Sequence, residues 1–238
     1  MDTGNTVNPE RREEIDRQGK EEWDNAYKLE GTSILWSEPP VPFIQEQAID
    51  IFRKSNPQEV LDLPCGDARN TLPLAQAFPG VMAADVSSRA VKIAQENLEK
   101  KHIHNCSYEV ADIFDTPWEE NHFDCILCWG TLGHLARPVL ALKELLRILK
   151  PGGRLIAGFF SVNDPMKGIN MEEVAPNEFM YDNRFFYRFY EPSELKTIAK
   201  ELSENEPEVR TTQWEEPPHK GFREYTHMHE SHALILEK

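Results

Sequence analysis

With 238 residues, 39% of them apolar, the chain can bury a core of its own, and such lengths are common for a single α/β domain. A formal net charge of −15 repels phosphate backbones, which argues against nucleic acid as a substrate. Met1-Asp2-Thr3-Gly4-Asn5 has neither a basic region nor an apolar core, and no run approaches membrane-spanning length, so a cytoplasmic protein without membrane partners is expected.

In chain order, residues 9–28 read as a polar helix and 43–54 as a second helix. A first strand at 59–63 leads through a tight turn into a helix at 68–78. A second strand at 80–85 precedes a helix that starts on Ser87 as N-cap and runs to about Lys101. Strands at 106–111 and 123–129 follow, then a helix at 138–149, the turn Lys150-Pro151-Gly152-Gly153 and a fifth strand ending near Phe160. Glu191-Pro192 opens a further helix, and the last two strands fall near 207–214 and 231–237. Alternation of strands and helices predicts a Rossmann-like, doubly wound α/β sheet of seven strands, mostly parallel with the last strand antiparallel. The expected layout is one domain: a helical cap at 1–56, a cofactor-binding core at 57–160, a substrate-side insertion at 161–190, and a final helix with two strands at 191–238.

The richest segment is Val60-Leu61-Asp62-Leu63-Pro64-Cys65-Gly66-Asp67, an apolar strand ending in an acidic, Gly-containing turn. Small residues there let the backbone approach a ligand, and the following helix offers free N–H groups. Asp85 closes the second strand 19 residues beyond Gly66, where a carboxylate accepts both ribose hydroxyls of an adenosine. The bland alternative for Asp85 is an ordinary neighbour of a helix N-cap. Asp67, with Asp62 close by, repels a pyrophosphate and favours a cationic ligand, which weighs against a nicotinamide dehydrogenase.

This turn resembles the Asp-x-Gly-x-Gly-x-Gly loop of class I S-adenosylmethionine (SAM) methyltransferases. Pro64 and Ala68 replace two of its glycines, the latter a mild change of one methyl. The tail Arg69-Asn70-Thr71-Leu72 is similar to that of the tellurite-resistance and thiol (thiopurine-type) methyltransferase branch, and Lys150-Pro151-Gly152-Gly153-Arg154-Leu155 resembles the post-helix segment of the superfamily. The resemblance implies SAM as cofactor, Arg69 on the methionine carboxylate, and Asp112 at the end of the third strand against the adenine amino group, unless Asp112 is a plain loop carboxylate. Trp23 to Tyr27, with Leu35-Trp36, resembles the tryptophan-bearing lead-in that folds across the cofactor. Packing of an amphipathic helix explains the same residues, and both can hold. The implied cofactor site comprises Trp36, Asp62, Pro64, Gly66, Arg69, Asp85, Val86, Asp112, Ile113 and Trp129.

In such sheets the acceptor binds beyond the carboxyl ends of the strands. His134, after the fourth strand, is either a general base or a packing residue. The aromatic insertion at 161–190, with Phe186, forms either a satellite core or a substrate wall. Tyr225, His227 and His229 belong to the loop joining the last strands. His227 and His229 share a face of extended chain, as metal ligands must, but without a second ligand pair a polar hairpin is preferred and no metal is expected. Cys125 and Cys128 point to opposite faces of their strand and read as core. The expectation is methyl transfer from SAM to a small molecule, a thiol or other soft nucleophile. Alternatives are an O- or N-methyltransferase with His134 as base, and a silent cofactor-binding protein.

Overall fold

The computed structural model of the protein describes residues 8–28, 39–218 and 225–238. Trp36 and residues 219–224 lie outside the described residues. Helix α1 (Pro9–Lys28) comes first, and a π-type turn at Ile44–Ala48 runs into α2 (Ile49–Arg53). The core then alternates β1 (Glu59–Asp62), α3 (Thr71–Ala77), β2 (Gly80–Asp85), α4 (Ser88–Lys100), β3 (Cys106–Val110), β4 (Phe123–Cys128), a 3₁₀ turn at Leu132–His134, α5 (Pro138–Ile148) and β5 (Leu149–Ser161). Three short strands follow, β6 (Met171–Ala175), β7 (Glu178–Tyr181) and β8 (Phe185–Tyr190), then α6 (Pro192–Lys200), β9 (Glu208–Glu216) and β10 (His227–Glu237).

Local chemistry accounts for the crossover helices. Ser87 caps α4 by accepting the Ala90 N–H at 3.3 Å, and Ala90, Val91, Ala94 and Leu98 bury one face of that helix. Pro138 starts α5, which buries Ala141, Leu142, Leu145 and Ile148 against the sheet. The central strands are apolar on both faces, as a sheet covered by helices on each side requires. Leu61, Ile126, Cys128 and Leu155 face the α5 layer, whereas Val60, Cys125, Leu127 and Ile156 face the layer of α2 and α3. The two cysteines therefore belong to opposite core layers.

Strands β3-β2-β1-β4-β5 are parallel, β10 is antiparallel to β5, and β9 is antiparallel to β10. These are the seven expected strands, but among the described residues the sheet has ten. The segment expected as an insertion folds into the meander β6–β7–β8, and β8 joins β5 in parallel at Phe160 and Ser161. A local signal explains the miss. Asp182 and Asn183 both have φ of 52°, the left-handed pair that a tight hairpin turn needs and that Asp and Asn tolerate best. Among the described residues no helix is long and apolar enough to cross a membrane.

Candidate active site

Beyond Asp62 the chain turns sharply. Cys65 N–H donates to the Ala84 carbonyl at 2.7 Å, which pins the turn to β2, and Gly66 takes a φ of 55°. A Cβ on Gly66 would lie 3.0 Å from the Tyr27 hydroxyl, so glycine is needed for conformation and for space. Asp85 holds the turn from the far side, accepting the Gly66 N–H at 3.1 Å and the Ser87 N–H at 3.0 Å. Ala68 has a φ of 74°, so its methyl sits where a glycine belongs, and the substitution is less mild than the sequence suggests.

These groups open into a cavity of about 190 Å³. Its lining combines Pro64, Gly66, Asp67, Arg69, Asp85 and Val86 from the β1 and β2 ends with Trp129, His134, Phe160, Tyr187, Trp214 and His229. Helix α1 adds Trp23 and Tyr27 to the lining. A smaller cavity of about 50 Å³, lined by Lys20, Asp112, Ile113 and Phe114, shares Trp23, Pro64, Val86, Thr131 and His134 with the first, so the two adjoin. Asp112 pairs with Lys20 and accepts the Phe114 N–H at 3.0 Å.

The acids are strained electrostatically. Burial pushes the carboxyls of Asp62 and Asp67 up to about 7 and that of Asp85 up to about 6, against the backbone N–H bonds and the Thr71 hydroxyl that favour their charged forms. Asp62 Oδ2 accepts the Thr71 hydroxyl at 2.6 Å, and its buried Oδ1 has no hydrogen-bond partner. The cation nearest at hand is already neutralised. Arg69 makes a two-point pair with Glu216, Nη1–Oε1 2.7 Å and Nη2–Oε2 2.9 Å, and its Nε donates to the Pro39 carbonyl at 2.6 Å. Three of the five guanidinium donors are thus used, and two remain for any carboxylate ligand.

The aromatic side is shaped by two glycines. A Cβ on Gly158 would meet the Trp129 ring at 2.7 Å, and one on Gly133 would meet the Phe160 ring at 2.2 Å, so both rings lie against bare backbone. His134 sits edge-on to Trp23, Phe160 and Tyr187, with Nδ1 2.9 Å from the Phe186 carbonyl.

Of the residues singled out from sequence, Pro64, Gly66, Arg69, Asp85, Val86, Trp129, His134 and His229 line the larger cavity, and Asp112 and Ile113 the smaller one. Four stand elsewhere. Asp62 lies buried below the turn; Phe186 packs with Ile15, Ala136 and Met180; Tyr225 is 54% exposed; and His227 is buried with Nδ1 3.0 Å from the Tyr225 carbonyl. His227 and His229 belong to β10 itself, which starts four residues before the expected strand, instead of a loop. Sequence reasoning placed Tyr187 in the expected substrate-side insertion but missed Phe160 and Trp214 as parts of the same lining. The alternation of Trp214 and Glu216 was visible, but only the pairing of β9 with β10 tells which face meets the ligand.

Residues 60–153 match the family described as "Methyltransferase domain". An uncharacterized methyltransferase of Schizosaccharomyces pombe is 34% identical over 102 residues, 40% of this chain and 37% of that protein. A ubiquinone/menaquinone biosynthesis C-methyltransferase of Erwinia tasmaniensis is 35% identical over 108 residues, 44% of this chain and 43% of that protein. The chain thus spans about two fifths of the length of the curated relatives it matches. Among solved structures, the 1,6-didemethyltoxoflavin-N1-methyltransferase of Burkholderia thailandensis, solved with 1,6-didemethyltoxoflavin and S-adenosylhomocysteine, superposes with a TM-score of 0.64 at 16% identity, over 100% of this chain and 93% of that one. The tellurite and thiol branch is not shown by these matches; what they establish is that residues 60–153 form a methyltransferase domain of the class I SAM-dependent kind, and that the fold is a Rossmann-like sheet.

Proposed function

We propose that the protein binds SAM in the acidic lobe of the larger cavity and transfers its methyl group to a small planar molecule in the aromatic lobe. The observation that carries this reading is one cavity lined both by the turn residues Gly66 and Asp85 and by the Trp129, Phe160, Tyr187 and Trp214 rings. The donor set fits SAM. Asp62, Asp67 and Asp85 are buried acids whose protons are easily lost to a nearby positive charge, and SAM carries a sulfonium and an ammonium. Asp85 would accept the ribose hydroxyls, the Asp112–Ile113 pocket would take the adenine, and Arg69 would offer its two remaining N–H groups to the carboxylate.

Bound SAM supplies an electrophilic methyl group. The chain's own work is to align the acceptor with it and to exclude water, which the ring walls and the α1 residues do. The Erwinia C-methyltransferase and the Burkholderia N-methyltransferase bring small-molecule acceptors to this reading, whereas the comparisons lend no support to the thiol acceptor that the resemblance implied. Flat ring walls suit a flat acceptor. The net charge of −15 keeps nucleic acid outside the proposal.

Calorimetric titration with SAM and S-adenosylhomocysteine, followed by transfer of labelled methyl to a panel of small aromatic and heteroaromatic compounds, tests the reading. Absence of binding to either nucleoside overturns it. Binding without transfer to any compound favours the silent cofactor-binding alternative.

A further inference from the structure

One pair of side chains on the acceptor side is arranged as a proton-accepting dyad. His229 projects from β10, opposite Trp214 on β9, and lines the larger cavity with its side chain 18% exposed. Its Nδ1 lies 3.0 Å from Oδ2 of Asp164, in the turn after β5, a carboxylate only 1% exposed. Asp164 is itself clamped: Oδ1 accepts the Met166 N–H at 2.7 Å and Oδ2 accepts the Glu230 N–H at 3.1 Å. Both oxygens of Asp164 already accept backbone N–H bonds, so the carboxyl group faces the ring as an acceptor. Nδ1 must therefore carry the imidazole proton, and Nε2 keeps the lone pair. Nε2 makes no hydrogen bond with the described residues. The ring is held by the Trp214 face at 5.3 Å and the His227 edge at 4.9 Å, and Trp214 is anchored in turn by donating its indole N–H to Glu216 at 2.5 Å.

The partner seen for His134 is different, its Nδ1 facing the neutral Phe186 carbonyl. We propose that His229 Nε2 takes the proton from the methyl acceptor, that Asp164 is its positioning residue, and that the acceptor arrives protonated, as a phenol, enol or ring N–H. The proposal rests on the methyltransferase reading. The acceptor's X–H proton passes to Nε2 as the X lone pair forms the bond to the methyl carbon. The sulfonium C–S bond breaks with its electrons going to sulfur, and the imidazolium then returns its proton to water. Among the described residues, the charged and titratable groups around His229 are Asp164 from the β5 turn, His227 on its own strand, and the Arg69–Glu216 pair behind Trp214.

Two measurements test the dyad. Imidazole ¹⁵N NMR of the SAM-free protein should show neutral His229 as the Nδ1–H tautomer, with Asp164→Asn shifting it toward Nε2–H; wild type in the Nε2–H tautomer overturns the dyad whether or not SAM binds. In kinetics, catechol serves as a protonated acceptor and thiophenol as one largely ionised at the assay pH. His229→Gln and His229→Ala should lose roughly 10²–10⁴ in kcat on catechol with unchanged SAM affinity, and less than tenfold on thiophenol. Equal losses on both acceptors, or a catechol loss produced by His134→Gln and not by the His229 variants, overturn the proposal. So does a wild type that binds SAM but leaves catechol unmethylated. Failure to bind SAM falls on the methyltransferase reading, while the tautomer measurement still decides the dyad.

Discussion

Arg69, four residues into the helix-entry side of the β1 turn from Cys65, is locked to Glu216, the last residue of β9, by a two-point ion pair in which the side chains are 6% and 1% exposed. The pair ties the acidic turn after β1 to the strand that carries Trp214 into the lining of the same cavity. A buried pair of this kind contributes little net stability over an apolar one, yet losing one partner strands the other charge.

Glu216→Gln should therefore destabilise the protein by about 3 kcal/mol in urea unfolding, and a second change, Arg69→Met, should recover much of that loss. A single-mutant cost below about 1 kcal/mol would show that the pair is solvated in solution.

Asp85→Ala should weaken SAM binding by about 1.5–3 kcal/mol, as expected for hydrogen bonds to a charged acceptor. Because burial raises the Asp85 carboxyl to about 6, the wild type should bind SAM progressively less tightly as pH falls through that value and the acceptor becomes protonated. Calorimetry between pH 5 and 8 checks both. A flat pH profile would remove Asp85 from the binding determinants.

Asp62 tests the cost of the buried acids in the SAM-free protein. Its carboxyl is raised from 3.8 to about 7 by burial, so the folded state holds a proton that the unfolded state has already released. For a raised carboxyl the stabilising contribution is present below the unfolded value and is lost as pH rises through the folded one. The stability of Asp62→Asn relative to wild type should therefore increase between pH 4 and pH 8, by roughly 3–4 kcal/mol. Urea midpoints at the two ends of that window measure it, and a difference that shrinks with pH contradicts the assigned sign.

Ala68→Gly should stabilise the protein by about 0.5–1 kcal/mol, because relief of a left-handed alanine outweighs the entropy that glycine adds to the unfolded chain. Thermal unfolding of the variant at neutral pH is sufficient. A lower melting temperature would mean that the turn is not left-handed at this residue.

Most of the architecture was legible because the signals are local. The apolar runs of β1, β2 and β4, the Ser87 cap and the Pro138 start each declare their element within a few residues. The link between Gly66 and Asp85 was legible too, since a strand-turn-helix followed by a second strand fixes their distance along the chain, and the structure joins the two by a hydrogen bond. The three extra strands were hidden because the aromatic content of 161–190 suits a satellite core, a pocket wall or a hairpin equally, and only the left-handed Asp182-Asn183 turn selects the last.

What the sequence by itself determined is the order of strands and helices and the acidic turn after β1, because those depend on periodicity and on residues close in the chain. Tertiary structure alone decided that Arg69 is spent on Glu216, that Trp214 and Phe160 share a wall, and that Asp164 meets His229 across 65 residues. Those partners come from different strands, and which face of each strand meets which neighbour is set by sheet register and packing, a long-range choice that no local pattern encodes.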